Sequence, residues 1–173
     1  MSGPSDPPSQ SPASPPRQRS SVVFFNDACT HVLLVTSSSR PGCWVLPGGG
    51  VEAGETPAVC AARELWEEAG AAPLALSAGG LLLLQLSQAP LPCKRSLTHP
   101  FATRLGSLAE AYPECSQRQR KWWPLAEVQA ALAGSAVGET VWGCALQALG
   151  CTAAGLTDTE ACAKGILALL TPS

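Results

Sequence analysis

The sequence is short of charge. Only 14% of its 173 residues are Asp, Glu, Lys or Arg, and eleven bases against thirteen acids leave a formal net charge of −2. That balance gives no bulk drive toward nucleic acid or an anionic membrane surface. Long apolar runs are missing too. The longest unbroken ones, such as Ile166 to Leu170, fall well below the roughly 18–20 residues of a membrane span. The eight cysteines include no CxxC and no Cys/His pair at ligand spacing, which argues against a zinc site. The N-terminus is polar and rich in Ser and Pro and lacks the apolar segment of a secretory signal. Reduced thiols in a cytoplasmic protein are therefore expected, with the nucleus as the alternative compartment. What the chain does have is apolar residues, 46% of the total. That excludes disorder over the whole length and suits one domain with a single core.

Residues 1–16 read as a disordered Ser/Pro tail. Structure is expected to start near Ser20. Val22–Phe25 and Val32–Val35 read as strands joined by the polar turn Asn26–Thr30, a hairpin. Trp44–Leu46 is a short strand stopped by Pro47, and Gly48-Gly49-Gly50 is expected to be a loop. The clearest helix follows. Thr56-Pro57 supplies an N-cap and first-turn proline, Ala58 to Ala69 are mostly helix formers, and Gly70 supplies the stop. Further strands are predicted over Leu81–Leu86, Phe101–Leu105 and Lys121–Trp123. Further helices are predicted over Leu125–Leu132, Thr140–Leu149 and Asp158–Leu170. Trp66 and Trp142 read as core, and Trp122 and Trp123 as core or wall. The mixture implies a single α/β domain over 17–133 with a helical extension over 134–173.

The charges are unevenly laid out. Five of the thirteen acids lie between Glu52 and Glu68. Glu64, Glu67 and Glu68 stand at i, i+3 and i+4 and so share a helix face, where like charges repel by about 0.2–0.5 kcal/mol per pair. Such a face is stable when simply solvated or when a cation bridges the carboxylates. Hard oxygen donors favour Mg2+, with Mn2+ as the alternative. The context favours the cation. A glycine-rich loop lies directly upstream, Arg63 can hold a carboxylate bidentately, and Glu55 precedes the helix where its dipole favours negative charge.

Gly49, Glu55, Arg63-Glu64-Leu65, Glu67-Glu68 and Gly70-Ala71 resemble the Nudix box, GX5EX7REUXEEXGU, at every fixed position. Only the last aliphatic slot is smaller than usual, Ala71. The resemblance implies a Nudix-type α/β/α sandwich with a mixed β-sheet, and a Mg2+-dependent pyrophosphohydrolase. Carried onto this chain, it makes Glu64, Glu68 and the Gly48 carbonyl metal ligands. Glu67 becomes the proton acceptor, with Glu64 as its rival.

Outside the box the chain resembles the diphosphoinositol polyphosphate phosphohydrolases, which also cleave diadenosine polyphosphates. The likeness rests on Arg17-Gln18-Arg19 before the first strand, on Ser37-Ser38-Ser39-Arg40 before the triple glycine, and on Arg118 to Trp123. Lys94-Arg95 with His99 resembles that subfamily's basic cluster only loosely. Arg17, Arg19, Ser37, Ser38, Ser39, Arg40, Lys94, Arg95 and Arg118 are accordingly the expected substrate-binding residues, suited to a small polyanionic phosphate. No nucleic-acid or membrane partner is expected. Two other readings compete: a nucleotide-directed Nudix hydrolase acting on ADP-ribose, a dinucleoside polyphosphate or a nucleoside triphosphate, and a non-catalytic polyphosphate-binding module.

Overall fold

A computed structural model describes residues 14–75, 80–152 and 155–172. Most of the tail expected over 1–16 lies outside them. In chain order the elements are β1 (Arg17–Phe25), β2 (His31–Thr36), β3 (Trp44–Val45), β4 (Gly48–Gly50), α1 (Pro57–Ala69), β5 (Ala71–Pro73), β6 (Leu84–Gln85) and β7 (Leu91–Cys93). They continue with β8 (Ser96–Leu108), β9 (Arg120–Pro124), α2 (Leu125–Ala131), α3 (Ala136–Ala148) and α4 (Thr159–Leu169). No helix among the described residues is long and apolar enough to cross a membrane.

The strands form one mixed sheet with the central order β3-β2-β1-β8-β5. β1 runs parallel to β8 from Arg17↔Ser96 to Phe25↔Arg104 and antiparallel to β2. Its apolar run is continuous because both faces are covered. Val22 and Phe24 point to one side, with Leu33, Val35 and Phe101, against Ala61, Leu65 and Ala69 of α1. Val23 and Phe25 point to the other, with Val32 and Leu34, against Leu125, Val128, Trp142, Ala145, Ile166 and Leu170 of the later helices. The architecture is the expected α/β/α sandwich. The helices beyond residue 133 share one core with the sheet.

Several expectations change. β1 begins at Arg17, not near Ser20, because its polar front half is paired with β8. Gly48–Gly50 is a strand and not a loop. It lies antiparallel to Arg19–Ser21, and a Cβ on Gly48 would stand 2.3 Å from the Ser20 carbonyl oxygen. Missing side chains are what permit this pairing. Trp66 is 43% exposed. α1 buries Cys60, Ala61, Glu64, Leu65, Glu68 and Ala69, which leaves position 66 on the outer side. The strand predicted over Leu81–Leu86 shrinks to Leu84–Gln85, and α3 starts at Ala136 rather than near Thr140 because the Ser135 side chain caps it, accepting from Gly138 N at 3.1 Å. β5 and β7 have no counterpart in the sequence reading. Trp142 is buried. Trp122 stacks on Phe24 at 6.0 Å, and Trp123 meets Trp44 edge-on at 5.6 Å.

Candidate active site

α1 begins and ends where its sequence says. Thr56 accepts a hydrogen bond from Val59 N at 3.3 Å, Pro57 occupies the first turn, and Gly70 closes the helix at φ 60° with its N–H on the Trp66 carbonyl at 2.9 Å. Ser20 of β1 donates to the Pro57 carbonyl at 2.6 Å, which ties the start of the helix to the sheet. The i, i+4 pair Glu64 and Glu68 thereby turns toward the sheet and is 8% and 5% exposed. Glu67, one position earlier, stays at the rim with its side chain 37% exposed.

The triple glycine passes directly over these carboxylates. A Cβ on Gly49 would lie 2.1 Å from Glu64 Oε1, so any side chain there would push the Glu64 carboxylate out of its place. Gly48 N donates to Glu68 Oε2 at 3.0 Å. Arg63 binds Glu55 bidentately, Nε to Oε1 at 2.8 Å and Nη2 to Oε2 at 3.0 Å. Its Nη1 also reaches Glu64 Oε1 at 2.8 Å and Glu67 Oε2 at 3.1 Å. Arg63 Nη2 meets the Gly50 carbonyl at 3.1 Å as well. One guanidinium thus fastens β4 and three box glutamates, Glu55, Glu64 and Glu67, together.

On the far side Arg118 is buried against Glu68, Nη2 to Oε1 at 2.5 Å, and also pairs with Glu114. Its Nη1 donates to the Thr36 carbonyl at 2.8 Å. Arg120, two residues on, points away. It donates to the Ala69 carbonyl at 2.5 Å and lies 4.8 Å over the Tyr112 ring, where a cation suits the C-terminal end of α1.

The electrostatics separate the glutamates. Hydrogen bonds from Arg63 hold the Glu55 carboxyl down to about 2. Burial pushes Glu68 up to about 7, against the opposing pull of Gly48 N–H and Arg118. Burial also raises Glu64, opposed by Arg63. Two buried carboxylates that resist ionisation offer oxygen donors that suit a hard divalent cation, and the nearby Gly48 carbonyl, which accepts from Arg19 Nη2 at 3.4 Å, is the peptide oxygen that could join them. Among the described residues no three His, Cys, Asp or Glu side chains converge on one point. Arg63 and Arg118 are the present partners of these carboxylates.

These groups line one cleft of about 430 Å3. Of the residues expected from sequence, it brings together Arg19, Ser37, Ser38, Ser39, Arg40, Gly48, Gly49, Glu64, Glu67, Glu68 and Arg118. It does not include Arg17, Lys94 or Arg95. Arg17 and Arg95 border a separate cavity with residues 14–16, and Lys94 sits in the β7–β8 turn at φ 53°. Glu55 and Arg63 stand behind the lining as its brace. Arg40 reaches across to the Gly134 carbonyl.

The cleft also contains residues that sequence reading missed: Ser20, Ser21, Glu114, Ser135, Val137 and Gly138. Glu114 had a signal, its i, i+4 spacing to Arg118. Its backbone N–H also donates to the Glu67 carbonyl at 3.0 Å. Ser20 and Ser21 directly follow Arg19 in β1, whereas Ser135, Val137 and Gly138 come from a distant segment and had no signal.

A family model for the NUDIX domain matches residues 15–145. The chain belongs to the Nudix family. Among curated relatives, diphosphoinositol polyphosphate phosphohydrolase 2 of Rattus norvegicus is 51% identical over 49 residues, 28% of this chain and 27% of the relative. Diphosphoinositol polyphosphate phosphohydrolase 3-alpha of Homo sapiens is 47% identical over 49 residues, 28% of this chain and 30% of the relative. The chain thus matches under a third of the length of these relatives.

Solved structures of similar fold include a NUDIX hydrolase from Nitrosomonas europaea, with a TM-score of 0.59 at 19% identity, covering 76% of this chain and 89% of that one. An ADP-ribose pyrophosphatase from Streptococcus suis has a TM-score of 0.52 at 19% identity, covering 73% and 89%. At that identity the likeness is one of fold.

Proposed function

We propose that this Nudix protein is a Mg2+-dependent pyrophosphohydrolase of diphosphoinositol polyphosphates, with diadenosine polyphosphates as second substrates, acting in the cytoplasm or nucleus. The observation that carries this reading is the composition of the cleft. A row of carboxylates faces Arg19, Arg40, Arg118 and the Ser37–Ser39 loop, and among the described residues no aromatic side chain lines the cleft. Guanidinium and hydroxyl donors are suited to several phosphates at once, whereas a nucleobase gains most from an aromatic face.

In this reading Glu64, Glu68 and the Gly48 carbonyl hold Mg2+, or Mn2+ in its place. A metal held there would supply charge neutralisation at the phosphate oxygens and would make water more acidic. Glu67, at the rim and steadied by Arg63, takes the proton of the attacking water, and Glu64 is its rival for that role. The water oxygen joins phosphorus as the P–O–P bridge breaks and the leaving phosphate carries off the bridging oxygen. Arg19, Arg40 and Arg118 orient the anion. Arg17, Lys94 and Arg95 serve as outer contacts for a highly phosphorylated ring.

The test is a panel of diphosphoinositol polyphosphates, diadenosine polyphosphates, ADP-ribose and nucleoside triphosphates incubated with pure protein and Mg2+. Phosphate release greatest from the first class supports the assignment. Preference for a nucleotide, with Arg17→Ala and Arg40→Ala leaving the rate nearly unchanged, replaces it with the nucleotide reading. Binding without turnover of any compound, equal in wild type and Glu68→Gln, replaces it with a non-catalytic module.

A further inference from the structure

The mechanism above uses none of the eight cysteines, and all eight are free thiols. Two of them meet in the C-terminal helices. Cys151 follows Gly150 just beyond α3, and Cys162 lies in the first turn of α4. Their Sγ atoms are 2.9 Å apart. Cys151 is buried and Cys162 half-buried. A metal is a poor occupant, because structural zinc takes four ligands and no third His, Cys, Asp or Glu joins the pair among the described residues. A disulfide is a better one. Its sulfur–sulfur distance is about 2.05 Å, so the two atoms need close by less than about 1 Å, within the reach of small side-chain rotations.

We propose that Cys151 and Cys162 are a modification site, a dithiol that a small-molecule disulfide such as oxidised glutathione converts to an internal disulfide stapling α4 to the end of α3. The thiolate of Cys162, the partner open to solvent, attacks one sulfur of the reagent and expels one reduced thiol. The thiolate of Cys151 then attacks Cys162 Sγ and expels the second. Two protein thiols are oxidised, one reagent disulfide is reduced, and the two protons leave on the released thiols. Burial pushes the Cys151 thiol up, which opposes its ionisation, and the second step is carried by proximity, since its target sulfur is already at hand.

The staple would matter because Ala163, Ile166 and Leu170 fill the core beneath it. It lies at the opposite end of α3 from Ser135 and Gly138, which line the cleft. Thirteen helical residues separate the two ends, about 20 Å. Oxidation is therefore expected to change stability without changing turnover, so the proposal stands or falls independently of the substrate assignment.

The experiment uses the full chain and its Cys144→Ser variant, incubated with oxidised glutathione and digested after glutamate without reduction. Cuts at Glu139 and Glu160 place Cys144 and Cys151 on one peptide and Cys162 on the next. The expected result is a Cys151–Cys162 linked peptide in both proteins and a midpoint of thermal unfolding raised by about 5 °C. Dithiothreitol should reverse both effects, and Cys162→Ser should show neither. Glutathione remaining on Cys162, linkage between two chains, or a linked peptide with no rise in the midpoint would overturn the proposal.

Discussion

The two faces of the sheet divide the work. One is covered by a single helix, α1, whose buried side combines small apolar residues with two glutamates. The other is covered by α2, α3 and α4 and is almost wholly apolar, with Trp142 at 1% exposure. Burial acts oppositely on the two. It stabilises the apolar face through water exclusion. On the α1 face it opposes ionisation of Glu64 and Glu68 and so costs stability while preparing the site. The lesson is that the same sheet can store stability on one side and hold poised charge on the other.

The largest expected effect breaks the α1 face alone. Glu67→Gln and Glu68→Gln should each lower kcat by about 10²–10⁴-fold, with thermal unfolding of Glu68→Gln no earlier than wild type. Normal turnover by both variants would remove their assigned roles. The mirror experiment strikes the other face. Trp142→Ala should cost about 3–5 kcal/mol in denaturant unfolding while turnover per folded molecule stays constant. A loss of kcat at full folding would show that the faces are not separable.

A third prediction sets the two faces apart by pH. Glu68 has a folded value of about 7 against an ordinary 4.5, so the folded state binds more protons between them. Stability of the metal-free protein should therefore fall as pH rises from about 4.5 through 7. Glu68→Gln should make that fall shallower, as should added Mg2+. Glu55 acts with the opposite sign. Its value of about 2 gives a contribution fully present above about 4.5 and lost as pH drops through 2. Chemical unfolding across pH, with and without Mg2+, reads both. The smallest effect belongs to Trp66→Ala on the outer side of α1. It should move stability by no more than about 0.5 kcal/mol and leave kcat unchanged, sharpening how narrow the working stripe of that helix is.

Local signals were the legible ones. The ends of α1 followed from Thr56, Pro57 and Gly70, because capping is decided by neighbouring residues. The buried strands Val22–Phe25 and Val32–Val35 followed from their apolar runs. What failed depended on partners distant in sequence. Arg17–Ser20 looked too polar for a strand until β8 supplied its hydrogen bonds. Gly48–Gly50 looked like a loop until Arg19–Ser21 offered an edge it could approach closely. Trp66 read as core because its chemistry says so, while the helix phase says otherwise.

The sequence by itself determined the family, the box helix and the carboxylates it carries, because seven fixed positions at fixed spacing imply one local geometry. Tertiary structure decided which basic groups reach that helix. Arg118 bonds Glu68 and Arg120 caps α1. Arg118 lies in the turn that follows Glu114, its N–H on the Glu114 carbonyl, whereas Arg120 opens β9 against Val35, so the point where pairing with β2 begins sends the two side chains to different partners. Likewise Ser135, Val137 and Gly138 became part of the cleft because α3 packs beside the serine loop, a contact across about a hundred residues that no local pattern encodes.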